Sequence, residues 1–294
     1  MNILVTGASG QIGREICRRC LAVGHQVVAA DRENLDIRDA ASVRQFVAAA
    51  SPDVTFNAAA WTAVDDAENQ CDEAFRVNRD GAENLAVACA EHSIPMVHYS
   101  TDYVFDGRKS SAYTEDDATD PINAYGRSKL AGEEAVRALH EKHLIIRTSW
   151  VFSSRRSNFV RTMLKLGSER TELRVVDDQV GKPTSAATIA DISLAMAARE
   201  EATWGTYHLA QPEAITWHEF AESIFESATR QGCELAVNNV VAISSGEFPT
   251  IAPRPENSVL DCQRLENSFE IAIPDWHGAL DSVIGELISD GFPS

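Results

Sequence analysis

The feature that most constrains the fold is a glycine-spaced turn close to the start of the chain. Residues 2–6 form a largely apolar run that predicts a short buried strand, and Gly7, Gly10 and Gly13 follow it at intervals of three residues. A helix is predicted after this turn, running to about Gly24. Glycine permits a tight turn and leaves the backbone open to close approach by another group. A strand, a glycine turn and a helix in this order begin a β–α–β unit and indicate a parallel sheet.

Strands and helices continue to alternate through the first half of the chain. Further strands are predicted at residues 26–30, 54–57, 95–100 and 144–148, with helices through Val43 and Phe46, over residues 74–90 and around Tyr125. This spacing is typical of an α/β fold with a Rossmann-type doubly wound parallel sheet, which we assign to residues 1–150. The pattern loosens after Trp150. Residues 151–294 are predicted to form a smaller C-terminal α/β substrate lobe, with segments that cross between the two lobes.

The glycine turn is suited to bind a dinucleotide. The N-terminus of the following helix favours an anion, because its free amides and its dipole point towards the ligand. Asp31 ends the second predicted strand, where a carboxylate can accept a hydrogen bond from an adenosine ribose. Arg32 beside it is suited instead to a 2′-phosphate, so NADH and NADPH both remain open. Gly7, Gly10, Gly13, Asp31 and Arg32 are the predicted cofactor-binding residues.

A group of side chains that transfer protons is predicted at the carboxyl edge of the same sheet. Tyr125 and Lys129 are four residues apart, so on a helix their side chains share one face. A phenol titrates near ~10, and a neighbouring ammonium is expected to draw its pKa towards neutrality. Thr101 follows a predicted strand and supplies a hydroxyl to a reacting oxygen. Thr101, Tyr125 and Lys129 are therefore the predicted catalytic residues for acid–base chemistry on a carbonyl.

Composition excludes several classes of protein. The formal charge of −18 argues against broad contact with nucleic acid or an anionic membrane. No apolar run approaches the length of a membrane span, and the first residues predict a strand rather than a signal peptide. The six cysteines are scattered, and Cys17 and Cys20 lie within an amphipathic helix, which favours neither zinc binding nor redox chemistry. We expect a reduced, cytoplasmic protein.

Several more specific runs, spread over nearly the whole chain, resemble one family. They are GASGQIG, NAAAWTAVDDAE, STDYVFDG, NAYGRSKLAGE, RTSWVF, NFVRTML, VVDDQVGKPT and RPENSVLD. With its glycine turn and its Y-x-x-x-K motif the chain resembles the extended short-chain dehydrogenase/reductases, and these runs are similar to the dTDP-4-dehydrorhamnose reductase family. The resemblance implies reduction of the 4-keto group of dTDP-4-dehydro-6-deoxy-L-mannose (dTDP-6-deoxy-L-lyxo-4-hexulose) to dTDP-L-rhamnose, with NADPH or NADH.

The resemblance also implies particular site residues. Thr101, Tyr125 and Lys129 match the family's catalytic triad, and the latter two also contact the cofactor. Further cofactor contacts are implied for Gln11, Ile12, Asp36, Ile37, Ala58, Ala60, Trp61 and Thr62. Substrate contacts are implied for Thr101, Asp102, Tyr103, Trp150, Asn158 and Arg254. From the sequence alone, a structural ion pair for Arg254 and a core position for Trp150 stay open.

The chain departs from the family pattern at two places. Trp61 stands where the family usually has Tyr or His, and residues 153–157 (SSRRS) replace a stretch that usually contains glycine. Both departures concern sugar and nucleotide preference more than reaction type. Some family members pair as homodimers through a magnesium site built from carboxylates, which makes Glu15 a candidate magnesium ligand, although the sequence presents no complete ligand set.

Three other functions remain open at this point. A sister dehydratase is disfavoured because Tyr103, rather than a second carboxylate, follows Asp102; a 4-epimerase is not disfavoured in this way. A non-catalytic subunit, resembling the regulatory subunit of methionine adenosyltransferase, is disfavoured by the complete set of Thr101, Tyr125 and Lys129. A reductase of another dTDP-4-keto-6-deoxysugar carries the same signals, because product stereochemistry depends on how the sugar lies over the nicotinamide.

Overall fold

A computed structural model describes residues 1–199 and 203–292, which form alternating strands and helices. The strands are β1 (Asn2–Thr6), β2 (Gln26–Ala30), β3 (Val54–Asn57), β4 (Met96–Thr101), β5 (His143–Thr148), β6 (Val151–Phe152), β7 (Glu172–Val176), β8 (Val180–Gly181), β9 (Thr184–Ser185), β10 (Gly205–His208), β11 (Ile215–Thr216) and β12 (Asn239–Ile243). The helices are α1 (Gln11–Ala22), α2 (Ala40–Ala50), α3 (Val64–Asn69), α4 (Cys71–Phe75), α5 (Gly81–Glu91), α6 (Ala124–Leu139), α7 (Phe159–Glu169), α8 (Ala186–Ala197), α9 (Trp217–Arg230), α10 (Gln263–Phe269) and α11 (Trp276–Ser289). A π-helical turn, Arg76–Asp80, joins α4 to α5.

Six strands form one parallel sheet in the order β2–β1–β3–β4–β5–β10. The chain runs outward from β1 to β2 and then crosses back to β3 on the other side of β1. Strand order therefore reverses between β1 and β3. In open parallel sheets a ligand crevice forms at such a point, outside the carboxyl ends of the strands.

The central strands are nearly continuous apolar runs because helices cover both faces of the sheet. Ile3 and Val5 face a core shared with α1 and α8, whereas Leu4 between them faces a core shared with α2 and α5. All three side chains are fully buried. Alternation along each strand thus gives the sheet two cores, and these cores fix the carboxyl edge where the crevice lies.

Much of the chain after Trp150 forms a smaller lobe with its own core. Helices α7, α9 and α11 pack together around Phe220 and Trp276, beside the short sheet of β7 and β12. Other segments return to the large sheet: β10 pairs with β5, and α8 packs against α1. Elements from both halves therefore build the sheet layer, and a division at residue 150 stays a prediction.

The α/β fold and its parallel sheet, predicted from the sequence, are confirmed. The helix predicted over residues 74–90 begins earlier, at Cys71, and contains the π-helical turn. Strand β10 was not predicted, because its sequence GTYH has no apolar run to mark it. Within the described ranges, every helix is too short or too polar to cross a membrane.

Gly132→Ala is expected to destabilise the protein, because α6 crosses the π-helical turn too closely for a side chain. A Cβ atom at Gly132 would collide with the backbone carbonyl of Asn78. Overpacking of this kind typically costs about 1–3 kcal/mol, which chemical denaturation measures as a lower free energy of unfolding.

Gly278→Ala is the matched control, since Gly278 lies in α11 with open space where the Cβ atom would be. Alanine favours helix over glycine by up to about 1 kcal/mol, so this change should stabilise the protein. Equal effects of the two substitutions would contradict the close helix crossing.

Candidate active site

Two cavities lie along the carboxyl edge of the sheet and meet at the glycine turn. The first, of about 300 Å³, lies beside the ends of β1 and β2. The second, of about 470 Å³, lies between α6 and the smaller lobe. The residues that line both are Gly10, Ala58, Ala60 and Arg156. An elongated ligand can therefore lie across the glycine turn with one end in each cavity.

The glycine turn has the shape needed to hold a diphosphate. Gly7 has a φ of 66°, and a Cβ atom there would collide with the backbone of Ala58. A Cβ atom at Gly13 would collide with the carbonyl of Gly7. Gly10 precedes α1 and gives no side-chain cap to the free amides of its first turn, so these amides and the helix dipole are available to an anion. The residues present fit the diphosphate of a nicotinamide dinucleotide.

The first cavity carries the charged residues predicted for the adenosine end. The Asp31 carboxylate accepts a hydrogen bond from the Glu33 amide at 3.0 Å. Arg38 donates to Asp36 at 2.9 and 2.7 Å, and these bonds lower the pKa of the Asp36 carboxyl to about 2. Arg32 lines the same cavity and has no ion-pair partner in the described part of the chain. The remaining predicted residues of this cavity, Ile37, Ala58, Ala60 and Trp61, also line it.

Asn78, on the π-helical turn, links the loop after β3 to helix α6. Its buried amide accepts from the Trp61 amide at 2.8 Å and donates to the Trp61 carbonyl at 3.1 Å and to the Ser128 hydroxyl at 2.8 Å. Ser128 in turn donates to the Tyr125 carbonyl at 2.8 Å. Trp61 and Thr62 are thereby held at a fixed distance from α6. Sequence reasoning missed Asn78; a π-helical turn, common at functional sites, has no simple sequence signal.

Thr101, Tyr125 and Lys129 together line the second cavity, which Gln11 and Ile12 also line. Thr101 ends β4 and accepts from the Tyr103 amide at 3.2 Å, which begins a short 3₁₀ turn. Asn123 caps α6 by accepting from the Gly126 amide at 2.8 Å, so the helix begins just before Tyr125. A strand end and a helix start therefore place the three side chains around one space.

Burial makes the Tyr125 phenol an even weaker acid than a phenol in water, so it is protonated at pH 7. Loss of hydration raises its pKa to about 12, and the Thr101 hydroxyl acts in the opposite direction. The expectation that Lys129 draws this pKa towards neutrality is not met, because the ammonium donates instead to the Tyr99 carbonyl at 2.6 Å. A protonated phenol is a proton donor, which is the form that reduction of a ketone requires.

Lys129 and Glu133 lie one helical turn apart in the buried side of α6. Burial lowers the pKa of the Lys129 ammonium to about 8, and the Glu133 carboxylate acts in the opposite direction. Glu133 accepts from the Ser100 hydroxyl at 2.5 Å and from Arg147 at 2.9 and 2.8 Å. These bonds tie α6 to the ends of β4 and β5. Glu133 and Arg147 were not predicted, since nothing in the sequence marks a buried ion pair.

Aromatic side chains from both lobes also line the second cavity. Trp150 stacks on Trp217 with ring centroids 3.4 Å apart. Tyr103 packs edge-on against Tyr125, with centroids 5.8 Å apart. Trp150 is half-buried and has a φ of 45°; it lines the cavity and also packs against the core of the smaller lobe. Trp217 was missed, because it reaches the site only through the packing of α9.

Two predicted substrate residues, Asn158 and Arg254, lie outside the lining of both cavities. Asn158 caps α7, and its amide donates to the Gln11 side chain at 3.0 Å. Arg254 donates to the Asp65 carboxylate at 2.9 Å and to the Ala252 carbonyl at 3.0 Å. Arg254 thus makes the structural ion pair considered from the sequence. Substrate contact by either residue stays a prediction.

The Glu15 carboxylate is held by two arginines. It accepts from Arg18 at 2.9 Å and from Arg19, and Arg19 also pairs with Asp191. Across residues 1–199 and 203–292, no group of three or more His, Cys, Asp or Glu is placed to hold a metal ion. Magnesium at Glu15 stays a prediction, and the carboxylate's partners in this structure are cationic side chains.

Comparison with known proteins decides the family. The family model described as the RmlD substrate binding domain matches residues 1–289. The dTDP-4-dehydrorhamnose reductase of Burkholderia thailandensis is 46% identical over 98% of this chain and 100% of its own length. This chain belongs to the dTDP-4-dehydrorhamnose reductase family. The reductase of Escherichia coli is 39% identical, over 98% of this chain and 99% of its own length.

Solved structures of dTDP-4-dehydrorhamnose reductases share the fold. The one from Clostridium acetobutylicum has a TM-score of 0.92 and 39% identity, over 98% of this chain and 100% of its own. The one from Bacillus anthracis, in complex with NADP, has a TM-score of 0.91 and 36% identity, over 97% and 98%. The family resemblance drawn from the short sequence runs is therefore confirmed, along nearly the whole length of the chain.

The buried Asp102 carboxyl gives this reductase-family site a pH-dependent stability. One oxygen accepts from the Thr101 hydroxyl at 2.9 Å, and the other has no hydrogen-bond partner among the described residues. Burial raises the pKa of Asp102 from 3.8 to about 6. Because the folded state binds this proton more tightly than the unfolded state, its contribution to stability is full below about pH 4 and is lost as the pH rises through 6.

Asp102→Asn is expected to remove this loss of folding stability at higher pH. The difference in unfolding free energy between variant and wild type should shift in favour of the variant as the pH rises from about 4 to about 7, measured by denaturation at each pH. Asp72→Asn, at an exposed position on α4, is the control and should show no such trend. A pH-independent difference for Asp102→Asn would contradict the burial of an ionisable carboxyl.

Proposed function

We propose that this protein reduces the 4-keto group of dTDP-4-dehydro-6-deoxy-L-mannose to give dTDP-L-rhamnose, with NADPH or NADH. The observation that carries the proposal is the convergence of Thr101, Tyr125 and Lys129 on a cavity that is continuous with the glycine turn. Full-length relatives named for this activity support the choice of substrate. The NADP bound by the Bacillus anthracis relative supports the choice of cofactor.

The chain's own residues hold the ketone and move one proton. When bound, the reduced nicotinamide supplies the hydride for C4 of the sugar. Tyr125 donates its phenolic proton to the C4 oxygen as negative charge develops there. The Thr101 hydroxyl, which donates to Asp102 at 2.9 Å in this structure, turns to donate to the same oxygen and stabilises the developing charge. Lys129 binds the ribose hydroxyls of the nicotinamide half and helps to fix its position.

The surroundings of Tyr125 suit this role. With a pKa of about 12, the phenol keeps its proton until a stronger base forms beside it. Burial removes water that would compete for the reacting oxygen and strengthens each hydrogen bond to it. The stacked pair Trp150 and Trp217 offers a flat apolar wall on the substrate side of the same cavity, where a sugar or base ring can pack.

Tyr125→Phe is expected to lower kcat by about 10²–10⁴-fold, because the proton donor is lost while the ring is kept. The assay follows oxidation of the reduced nicotinamide with the dTDP-4-keto sugar, and NMR identifies the sugar formed. Tyr207→Phe is the matched control: this phenol donates to the Thr203 carbonyl at 2.7 Å, in β10 and away from both cavities. An undiminished kcat for Tyr125→Phe would contradict the assignment of Tyr125 as the proton donor.

Outcomes for the wild type separate the competing functions. Stoichiometric oxidation of the cofactor by the keto sugar would exclude a 4-epimerase, which regenerates its cofactor in each turnover. Absence of any turnover would favour a non-catalytic subunit. The sugar identified by NMR distinguishes the rhamnose reductase from a reductase of a different stereochemistry.

Arg32→Ala is expected to raise KM for NADPH by roughly 10-fold and to leave KM for NADH almost unchanged, since an unpaired guanidinium in the first cavity suits a 2′-phosphate. Steady-state kinetics with each cofactor measures both values. Arg44→Ala is the control, because Arg44 lies on α2 and pairs with Glu91 at 3.0 Å outside the site. An equal rise in KM for the two cofactors would show that Arg32 does not recognise the 2′-phosphate.

Two expectations drawn from the family stay predictions beside this proposal: pairing of two copies as a homodimer, and magnesium at Glu15. Neither has a step in the proposed reaction. Glu15 lies on α1, one turn beyond the glycine turn, and its arginine partners would have to move for a metal ion to bind.

A further inference from the structure

Arg156 occupies the point where the two cavities meet. Of the four residues that line both, Gly10, Ala58 and Ala60 are small and uncharged, and Arg156 is cationic. Its Nε atom donates to the carbonyl of Ser9, within the glycine turn, at 2.7 Å. The guanidinium therefore lies where the adenosine and nicotinamide halves of a dinucleotide are joined.

The loop that carries Arg156 is fixed to the glycine turn from the smaller lobe. The Asn158 amide donates to the carbonyls of Ser153 and Arg156, at 2.8 and 3.2 Å, and to the Gln11 side chain at 3.0 Å. The Ser153 hydroxyl donates to the same Gln11 oxygen at 2.7 Å. Gln11 is the first residue of α1. The position of Arg156 thus follows from a hydrogen-bonded junction between the lobes.

The backbone of Arg156 adopts a conformation that arginine rarely shows. Its φ is 62°, in the left-handed region that is unfavourable for a residue with a Cβ atom. It belongs to the stretch SSRRS, where the chain lacks the glycine that its family usually carries. Backbone strain persists where the surrounding structure enforces it, and it clusters at ligand sites.

We infer that Arg156 binds the diphosphate of the nicotinamide dinucleotide, opposite the amides of the glycine turn, and so connects the smaller lobe to the bound cofactor. The two Nη groups make no hydrogen bond within residues 1–199 and 203–292, and a planar guanidinium matches the oxygens of a diphosphate. A protein with a formal charge of −18 repels a polyanion at long range. A cation fixed at the diphosphate offsets this repulsion where the ligand binds.

The inference rests on the proposed function, since it requires a dinucleotide in this crevice, and equilibrium binding tests it. Arg156→Asn removes the charge, and asparagine tolerates the left-handed backbone. The Kd for NADPH, measured by fluorescence titration, should rise about 10-fold and depend less on salt. ADP-ribose, which carries the diphosphate, should show the same loss, whereas adenosine should bind variant and wild type alike.

Arg155→Asn is the matched control. The neighbouring Arg155 pairs with Asp290 at 2.7 Å and lines neither cavity, so its loss should leave the Kd for NADPH unchanged. Arg156→Gly is a second variant that removes both the charge and the strain; it should show the same 10-fold loss without loss of stability in denaturation.

An unchanged Kd for NADPH in Arg156→Asn and Arg156→Gly would overturn the assignment. An equal loss for adenosine would do the same, because the effect would then not involve the diphosphate. Failure of the wild type to bind either NADPH or NADH would overturn the proposed function instead, so the two failures are distinguishable.

Discussion

The carboxylate of Glu133 is the group on which the geometry of the site depends. It is fully buried and bonded to Ser100, Arg137 and Arg147. Ser100 precedes Thr101 at the end of β4, and Lys129 lies one turn before Glu133 on α6. The proton donor and its neighbours come from separate elements, and this ion pair holds those elements together. Leaving one partner of such a buried pair uncompensated typically costs about 3–5 kcal/mol, so the strand ends and the helix are strongly coupled.

Two glycines in α6 allow the close packing of this helix that the buried charges favour. Cβ atoms at Gly126 and Gly132 would collide with the backbone carbonyls of Tyr103 and Asn78. Helix α6 can therefore lie directly against the turn after β4 on one side and against the π-helical turn on the other. Asn78 then uses its amide to fix the loop of Trp61 to the same helix. At these two glycines the backbone of α6 packs directly against the backbone of its neighbours, with no side chain between them.

Sequence predicts those parts of the site whose signals are local. The glycine turn, the strand ends and the four-residue spacing of Tyr125 and Lys129 each lie within one short segment, and the structure brings them to one crevice. Arg156 and Trp217 line the crevice, and Asn78 and Glu133 hold its walls together. All four do so through contacts between segments far apart in the chain, so no local pattern marks them. The failed expectation for the pKa of Tyr125 has a similar cause. Helical spacing predicts that two side chains share a face, but the Tyr99 carbonyl on β4 decides where the ammonium points.

Features that are unfavourable for the folded protein collect around the second cavity. Trp150 and Arg156 have left-handed backbones, and burial raises the pKa of Asp102 while it lowers that of Lys129. Both shifts disfavour the charged form, so a carboxylate and an ammonium within this one cavity are each destabilised at neutral pH. A core selected for stability alone would replace such groups with apolar ones. Their presence together in one cavity is understandable if a polar ligand supplies the missing hydrogen bonds, because the unfavourable groups are then stabilised when the site is filled.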